Sequence, residues 1–340
     1  MRLRNFDAQK HAAAGWRRLD PARLARLGVA PDLFDIGPMG GAPEPPCNGS
    51  AVGGRAAEVD IVSLRDARAL RRQQQQGRPF LVERAFDPER LLGRNGTARA
   101  TFVQRFGALR VSAGELPYAS TYGVPEEALN VSDFVSRYMG LSSTTGEFGV
   151  GADGAPYASS SWPFERGPGS ELNRPPYVFD SEVIDRERRG AARGRDRDRG
   201  SGTAASESLF TPLFSWLPDS LGHFGHGARR SRLRQLALGG PLSGAMPHFH
   251  PAAVNVLLFG AKLWVVFLPD DASFGAGHAA DYFERAHKPR VANACRGGAD
   301  AARAPAFVSF VQEPGDLVFV PAFWGHATVN LADSFAVAIE

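Results

Sequence analysis

Three histidines carry the chemistry most open to this chain. His248 and His250 stand one residue apart in "MPHFHPAAVNVLLFGAKLW", just ahead of an apolar run, and His326 stands far downstream in "VPAFWGHATVN". In an extended strand, residues i and i+2 point to the same face. The pair can therefore aim two imidazoles at one point. A neighbouring strand carrying His326 would complete a three-ligand face and leave positions open for substrate, water or oxygen. The commonest oxygen-activating iron site has a carboxylate among its three ligands. Here His250 brings a neutral imidazole instead, so the ion would keep its full divalent charge. Such a face suits Fe(II) and also Zn(II). One histidine alone is more often a satisfied polar residue than a ligand; the reading rests on all three.

Lys262 is the second residue out of keeping with its surroundings. It lies in "LLFGAKLWVVF", an otherwise apolar stretch. A lysine there either meets an anion, because burying an unpaired ammonium is costly, or carries its head to water at a turn.

The elements that must position these residues are strands. "AVNVLLFG" and "LWVVFLP" flank Gly260-Ala261, which predicts a tight hairpin. "AFVSFVQ", "DLVFVPAFW", "HATVNLA" and "SFAVAIE" follow, separated by "EPG" and "LADS". Short strands at this spacing predict a mainly β fold of the sandwich or jelly-roll kind. Upstream, "SLRDARALRRQQQQ" reads as a helix and "RPFLVERAF" as a short strand. "ATFVQRFGALRVSAG" reads as a helix running into a strand, "NVSDFVSRYMG" as a capped helix and "PPYVFDSEVI" as a strand. Residues 1–57 read as a poorly ordered lead-in and 58–340 as one domain, with 185–208 a disordered charged insertion.

Composition narrows the class. The net charge of +3 gives no general attraction to nucleic acid. In 185–208 acidic residues interleave with the arginines and oppose phosphate binding. Two cysteines, Cys47 and Cys295, are too few for a disulfide framework and lack zinc-site spacing. A single bridge between them and two free thiols both remain open. No apolar stretch reaches the ~18–20 residues of a membrane span, and the charged start shows no signal peptide. His223 and His226 in "GHFGHG" read as a loop, since glycines flank them and no carboxylate accompanies them.

"PHFHPAAVNVLLFGAKLWVVFLP…EPGDLVFVPAFWGHATVNL" resembles the Jumonji-C (JmjC) domain of the cupin superfamily. That pattern runs H-x-D/E, then G-x-K with a following aromatic, then P-G-[DE]-x-x-[FY]-x-P-x-x-W-x-H-x-x-x-N. This chain supplies His248 and His250, Gly260 to Lys262 with Trp264, then Pro314, Gly315, Asp316, Phe319, Pro321, Trp324, His326 and Asn330. The resemblance implies a double-stranded β-helix, the jelly-roll barrel of cupins, with flanking N-terminal helices. It implies Fe(II) on His248, His250 and His326, and 2-oxoglutarate as cosubstrate with its distal carboxylate on Lys262. Asn255 and Asn330 stand near the cosubstrate by the same likeness, and a protein is the implied substrate or partner.

Two departures bear on activity. Ala245 stands where many active members have a threonine that bonds the cosubstrate, and His250 stands where they have a carboxylate. Two readings therefore stay open: a 2-oxoglutarate-dependent oxygenase, and a non-catalytic interaction protein that keeps a structural metal site. A zinc hydrolase is weaker, because no carboxylate near the three histidines offers itself as a general base. "FGALRVS", "SGAMPHFH" and "HATVNL" are most similar to the endoplasmic-reticulum-luminal JmjC subgroup. The sequons at Asn48, Asn95 and Asn130 agree with a luminal home, and the start of the chain with a cytoplasmic one. Oligomeric state is not encoded in any pattern of the sequence.

Overall fold

The computed structural model describes residues 59–63, 65–94, 99–117, 119, 123–139, 174–183, 213, 234–275, 277–287 and 307–340. Beyond these it gives only two short strands, β1 (Ala13–Ala14) and β2 (Ala56–Ala57), which pair in parallel. The charged insertion, both cysteines, the "GHFGHG" histidines and Asn95 lie outside the described residues.

Eight strands at the C-terminal end form the frame. They are β8 (Arg234–Gly239), β9 (Gly244–His248), β10 (Ala253–Phe259), β11 (Lys262–Phe267), β12 (Phe307–Gln312), β13 (Leu317–Val320), β14 (Gly325–Asn330) and β15 (Ser334–Ile339). They divide between two sheets. The smaller has the order β12-β11-β14-β9. In the larger, β13-β10-β15-β8 is extended on one side by β3 (Asp60–Ile61) and β4 (Phe80–Val82). On the other side it is extended by β7 (Tyr177–Asp180), β5 (Arg110–Gly114) and β6 (Glu126–Asn130). The fold is mainly β, as the strand spacing predicts.

The expected hairpin at Gly260-Ala261 is a correction. β10 and β11 do not pair: β10 bonds to β13 and β15 in the large sheet, and β11 to β12 and β14 in the small one. Gly260 has φ +91, and a Cβ there would strike Asp333 and Ser334. Only glycine adopts that backbone so close to another chain segment. The corner is locked by Leu331 N–H donating to the Ala261 carbonyl at 2.8 Å and by the Ser334 hydroxyl donating to the same oxygen at 3.1 Å. It passes the chain from one sheet to the other.

Alternation gives each strand of the large sheet two different faces. Val254, Val256, Leu258, Phe335, Val337 and Ile339 point outward into a core shared with α3 (Arg99–Phe106) and α4 (Val131–Tyr138). Phe102 meets Phe259 and Phe335 edge-on, with each pair of ring centroids 5.2 Å apart. Two further helices, α1 (Ala67–Gln76) and α2 (Glu89–Leu92), border this core. Asp66 caps α1 by accepting from Ala69 N–H at 2.8 Å, and Gly77 at φ 61 ends it. A second core lies between the sheets, where Leu81, Val318 and Val320 meet Trp264, Val266, Phe310 and Trp324. The two sheets are therefore packed face to face over part of their span.

Candidate metal centre

β14 and β9 pair antiparallel with His326 directly opposite His248. This register brings the distant histidine to the H-x-H pair. β9 ends at His248, and His250 follows just beyond it. The ring centroids of His326 lie 4.1 Å from those of His248 and 4.6 Å from those of His250. One ligand nitrogen from each of the three falls within 4.8 Å of the others.

The tautomers follow from the backbone. His248 Nδ1 lies 2.8 Å from the Met246 carbonyl, His250 Nδ1 2.6 Å from the Pro251 carbonyl, and His326 Nδ1 3.1 Å from the Trp324 carbonyl. A carbonyl only accepts, so each Nδ1 carries the proton and donates it. Each Nε2 then keeps its lone pair. This outer bonding is the pattern that orients metal-bound histidines. Burial pushes the His248 ring down to about 4, helped by the neighbouring His250, and burial likewise holds His326 well below the usual histidine range. Two of the three ligands are thus neutral at physiological pH, the form a metal requires. The donor set fits a divalent ion.

Trp264 backs the site. Its indole stacks on His326 at 5.8 Å and 27°. Its Nε1–H donates to Gln312 Oε1 at 2.8 Å, and Gln312 Nε2 donates in turn to the carbonyls of Asn255 and Asp316. The "EPGD" turn contributes to this scaffold: the Asp316 carboxylate accepts from Arg84 N–H at 2.9 Å and Glu313 N–H at 3.1 Å.

Lys262 lies on the same sheet, four residues along from the histidines. It is opposite Asn330, whereas Val266 is opposite His326. It is 2% exposed, so the alternative of an ammonium reaching water is overturned. Its Nζ donates to the Tyr177 hydroxyl at 3.0 Å, its only hydrogen bond among the described residues. Burial lowers the lysine to about 7 and raises Tyr177. An ammonium with three donors and one partner in a buried site is poised for an anion.

The remaining site expectations divide. Asn330 donates through Nδ2 to Ser243 Oγ at 3.0 Å and Gly239 O at 3.3 Å, while its backbone exchanges bonds with Leu242 and Ser243. It clamps the turn between β8 and β9, and its Oδ1 is left without a partner among the described residues. Asn255 is buried in the large sheet with its Oδ1 likewise unpartnered. Thr328 stands between His326 and Asn330, and Ala245 N–H donates to its hydroxyl at 3.4 Å.

Two residues of the site were missed in the sequence. In the sequence Tyr177 is only one residue of the strand pattern "PPYVFDSEVI". Glu340 places Oε1 3.9 Å from His250 Nε2, which corrects the expectation that no carboxylate stands near the histidines. The parity of "SFAVAIE" marks it: Phe335, Val337 and Ile339 face the outer core, so Glu340 falls on the other face.

Among the described residues no helix is long and apolar enough to cross a membrane. Residues 302–340, which include β12 to β15 and His326, match the family model described as JmjC domain, hydroxylase. His248, His250 and Lys262 lie outside the matched segment, and the match supports a JmjC domain protein.

Proposed function

We propose that this chain is a JmjC-type oxygenase on a double-stranded β-helix, dependent on Fe(II) and 2-oxoglutarate and hydroxylating a protein. Its eight C-terminal strands run through both sheets in the order such a barrel needs, large-sheet and small-sheet strands alternating except at the β11–β12 pair. The observation that carries the reading is the paired arrangement on one sheet. Three Nε2 lone pairs converge at one end, and a buried, under-bonded lysine stands at the other.

His248, His250 and His326 would hold the ion. Iron(II) with 2-oxoglutarate supplies an oxidation in which O2 converts C–H to C–OH while the cosubstrate becomes succinate and CO2. The protein's own part is positioning. Lys262 and the Tyr177 hydroxyl bind the distal carboxylate of the cosubstrate, and Trp264 fixes the His326 ring. From His326 to the level of Lys262 is four residues of β14, about 13 Å of strand, which side chains and a short dicarboxylate bridge from both ends. Thr328 offers a hydroxyl on the strand beside Ala245, close to where a family threonine would stand. The likeness of "SGAMPHFH" and "HATVNL" to the endoplasmic-reticulum-luminal subgroup supports a luminal member of the family.

His250 and Ala245 favour the second reading, a scaffold that retains its metal. Turnover separates the two. Iron-loaded protein should convert 2-oxoglutarate to succinate, and Lys262→Ala should abolish conversion while leaving bound iron unchanged. Absence of both 2-oxoglutarate binding and succinate from iron-loaded protein would favour the scaffold.

A further inference from the structure

Three imidazole ligands bring no negative charge to a divalent ion, and the ligand position that would hold a carboxylate is His250. A carboxylate nevertheless reaches this site from the opposite sheet. Glu340 directly follows β15, and its side chain is 11% exposed. Gln235, on the inner face of β8, donates from Nε2 to Glu340 Oε1 at 3.0 Å. The same Oε1 lies 3.9 Å from His250 Nε2, the nitrogen that the Pro251 carbonyl leaves free for a metal.

Resting on the metal reading above, we propose that Glu340 is the outer-sphere carboxylate of this metal centre, positioned by Gln235. It supplies from β15 the negative charge that position 250 does not. The group whose ligand atoms all lie within 4.8 Å of one another is His248, His250 and His326; Glu340 stands beside that group, next to His250, and is not part of it. An outer-sphere position would leave the ion's remaining coordination positions free for the cosubstrate and a further reactant. The environment of Glu340 argues the same way. Its partners among the described residues are an amide and His250, neither of them a permanent cation. A mostly buried carboxylate with no lysine or arginine beside it is costly unless another positive charge is close by. The metal is the charge this corner lacks.

The test is cobalt(II) titration of the whole chain, followed by its visible absorption, for wild type, Glu340→Gln, Glu340→Asp, His326→Ala and the double variant His250→Asp/Glu340→Gln. Glu340→Gln keeps a carbonyl oxygen for Gln235, so a merely structural role survives it. The proposal expects Glu340→Gln to weaken cobalt by about 10- to 100-fold, the range of outer-shell partners. It expects Glu340→Asp to retain part of that affinity and the double variant to regain most of it, since one carboxylate is back at the ion. Glu340→Gln binding as tightly as wild type, while His326→Ala loses cobalt, would overturn the proposal and leave the metal reading standing. Wild type binding no better than His326→Ala would overturn both. Thermal melts of each variant identify any that fail to fold. Should the double variant be among them, Glu340→Gln against Glu340→Asp decides.

Discussion

The two faces of β10 and β15 are built on opposite principles. Their outer face carries Val254, Val256, Leu258, Phe335, Val337 and Ile339 against the phenylalanines of α3 and α4. Their inner face carries Asn255, Leu257, Ser334, Ala336 and Ala338, with Glu340 just beyond. Alternation along a strand makes this division, since neighbours along one backbone belong to different environments. The outer face maximises buried apolar area. Apart from Leu257 the side chains of this face are small or polar: the Ser334 hydroxyl donates to the carbonyls of Ala261 and Ala332, and Glu340 accepts from Gln235. Stability is concentrated on one side of the sheet and chemistry on the other.

The largest effect that would break this division is on the outer face. Phe335→Ala removes a ring that touches Phe102, Phe106 and Phe259. Urea unfolding should show a loss of about 3–5 kcal/mol, as for other buried aromatics, with metal affinity of the folded protein unchanged. A parallel loss of metal affinity in the folded state would mean the two faces are not separable.

Lys262→Met should act in the opposite sense. It removes a desolvated ammonium and should raise stability at pH 6 by about 1–2 kcal/mol, while dicarboxylate binding disappears. The gain should shrink with rising pH. Folded Lys262 loses its proton near 7, whereas the unfolded lysine keeps its own to about 10.5. Between those values the unfolded chain holds more protons, so wild-type stability rises with pH and the penalty fades. Tyr177, the titratable group in contact with Lys262, stays protonated throughout, because burial raises it.

The smallest effect sharpens the same point. Affinity for 2-oxoglutarate in the metal-loaded protein should fall by up to about tenfold per pH unit above 7, as the ammonium that meets the carboxylate is lost. Calorimetry across pH 6–9 reads this directly. An affinity independent of pH would remove Lys262 from the cosubstrate site.

Much of the site was legible because its residue types are rare in their settings. Two histidines at strand spacing, a third before "ATVN" and a lysine inside an apolar run each stand out locally. Tyr177 and Glu340 do not. Each lies in an ordinary strand pattern and acquires its role only when β7 or β15 is brought across from the large sheet. The Gly260 corner departs from the hairpin its sequence predicts for a related reason. Glycine between two apolar runs marks a reversal, but whether the second run pairs with the first or crosses to another sheet depends on contacts with Asp333 and Ser334, more than seventy residues on. Asn330 illustrates a third limit: its side-chain amide is committed to the turn at Gly239 and Ser243, a partner invisible to any motif.

The central claim is that His248, His250 and His326 share one divalent ion. Metal stoichiometry after anaerobic loading with Fe(II), measured on wild type and on His326→Ala, tests it most directly. The account predicts one tightly held iron per chain in wild type and none in the variant. Equal iron in both, or none retained by folded wild type, would contradict it.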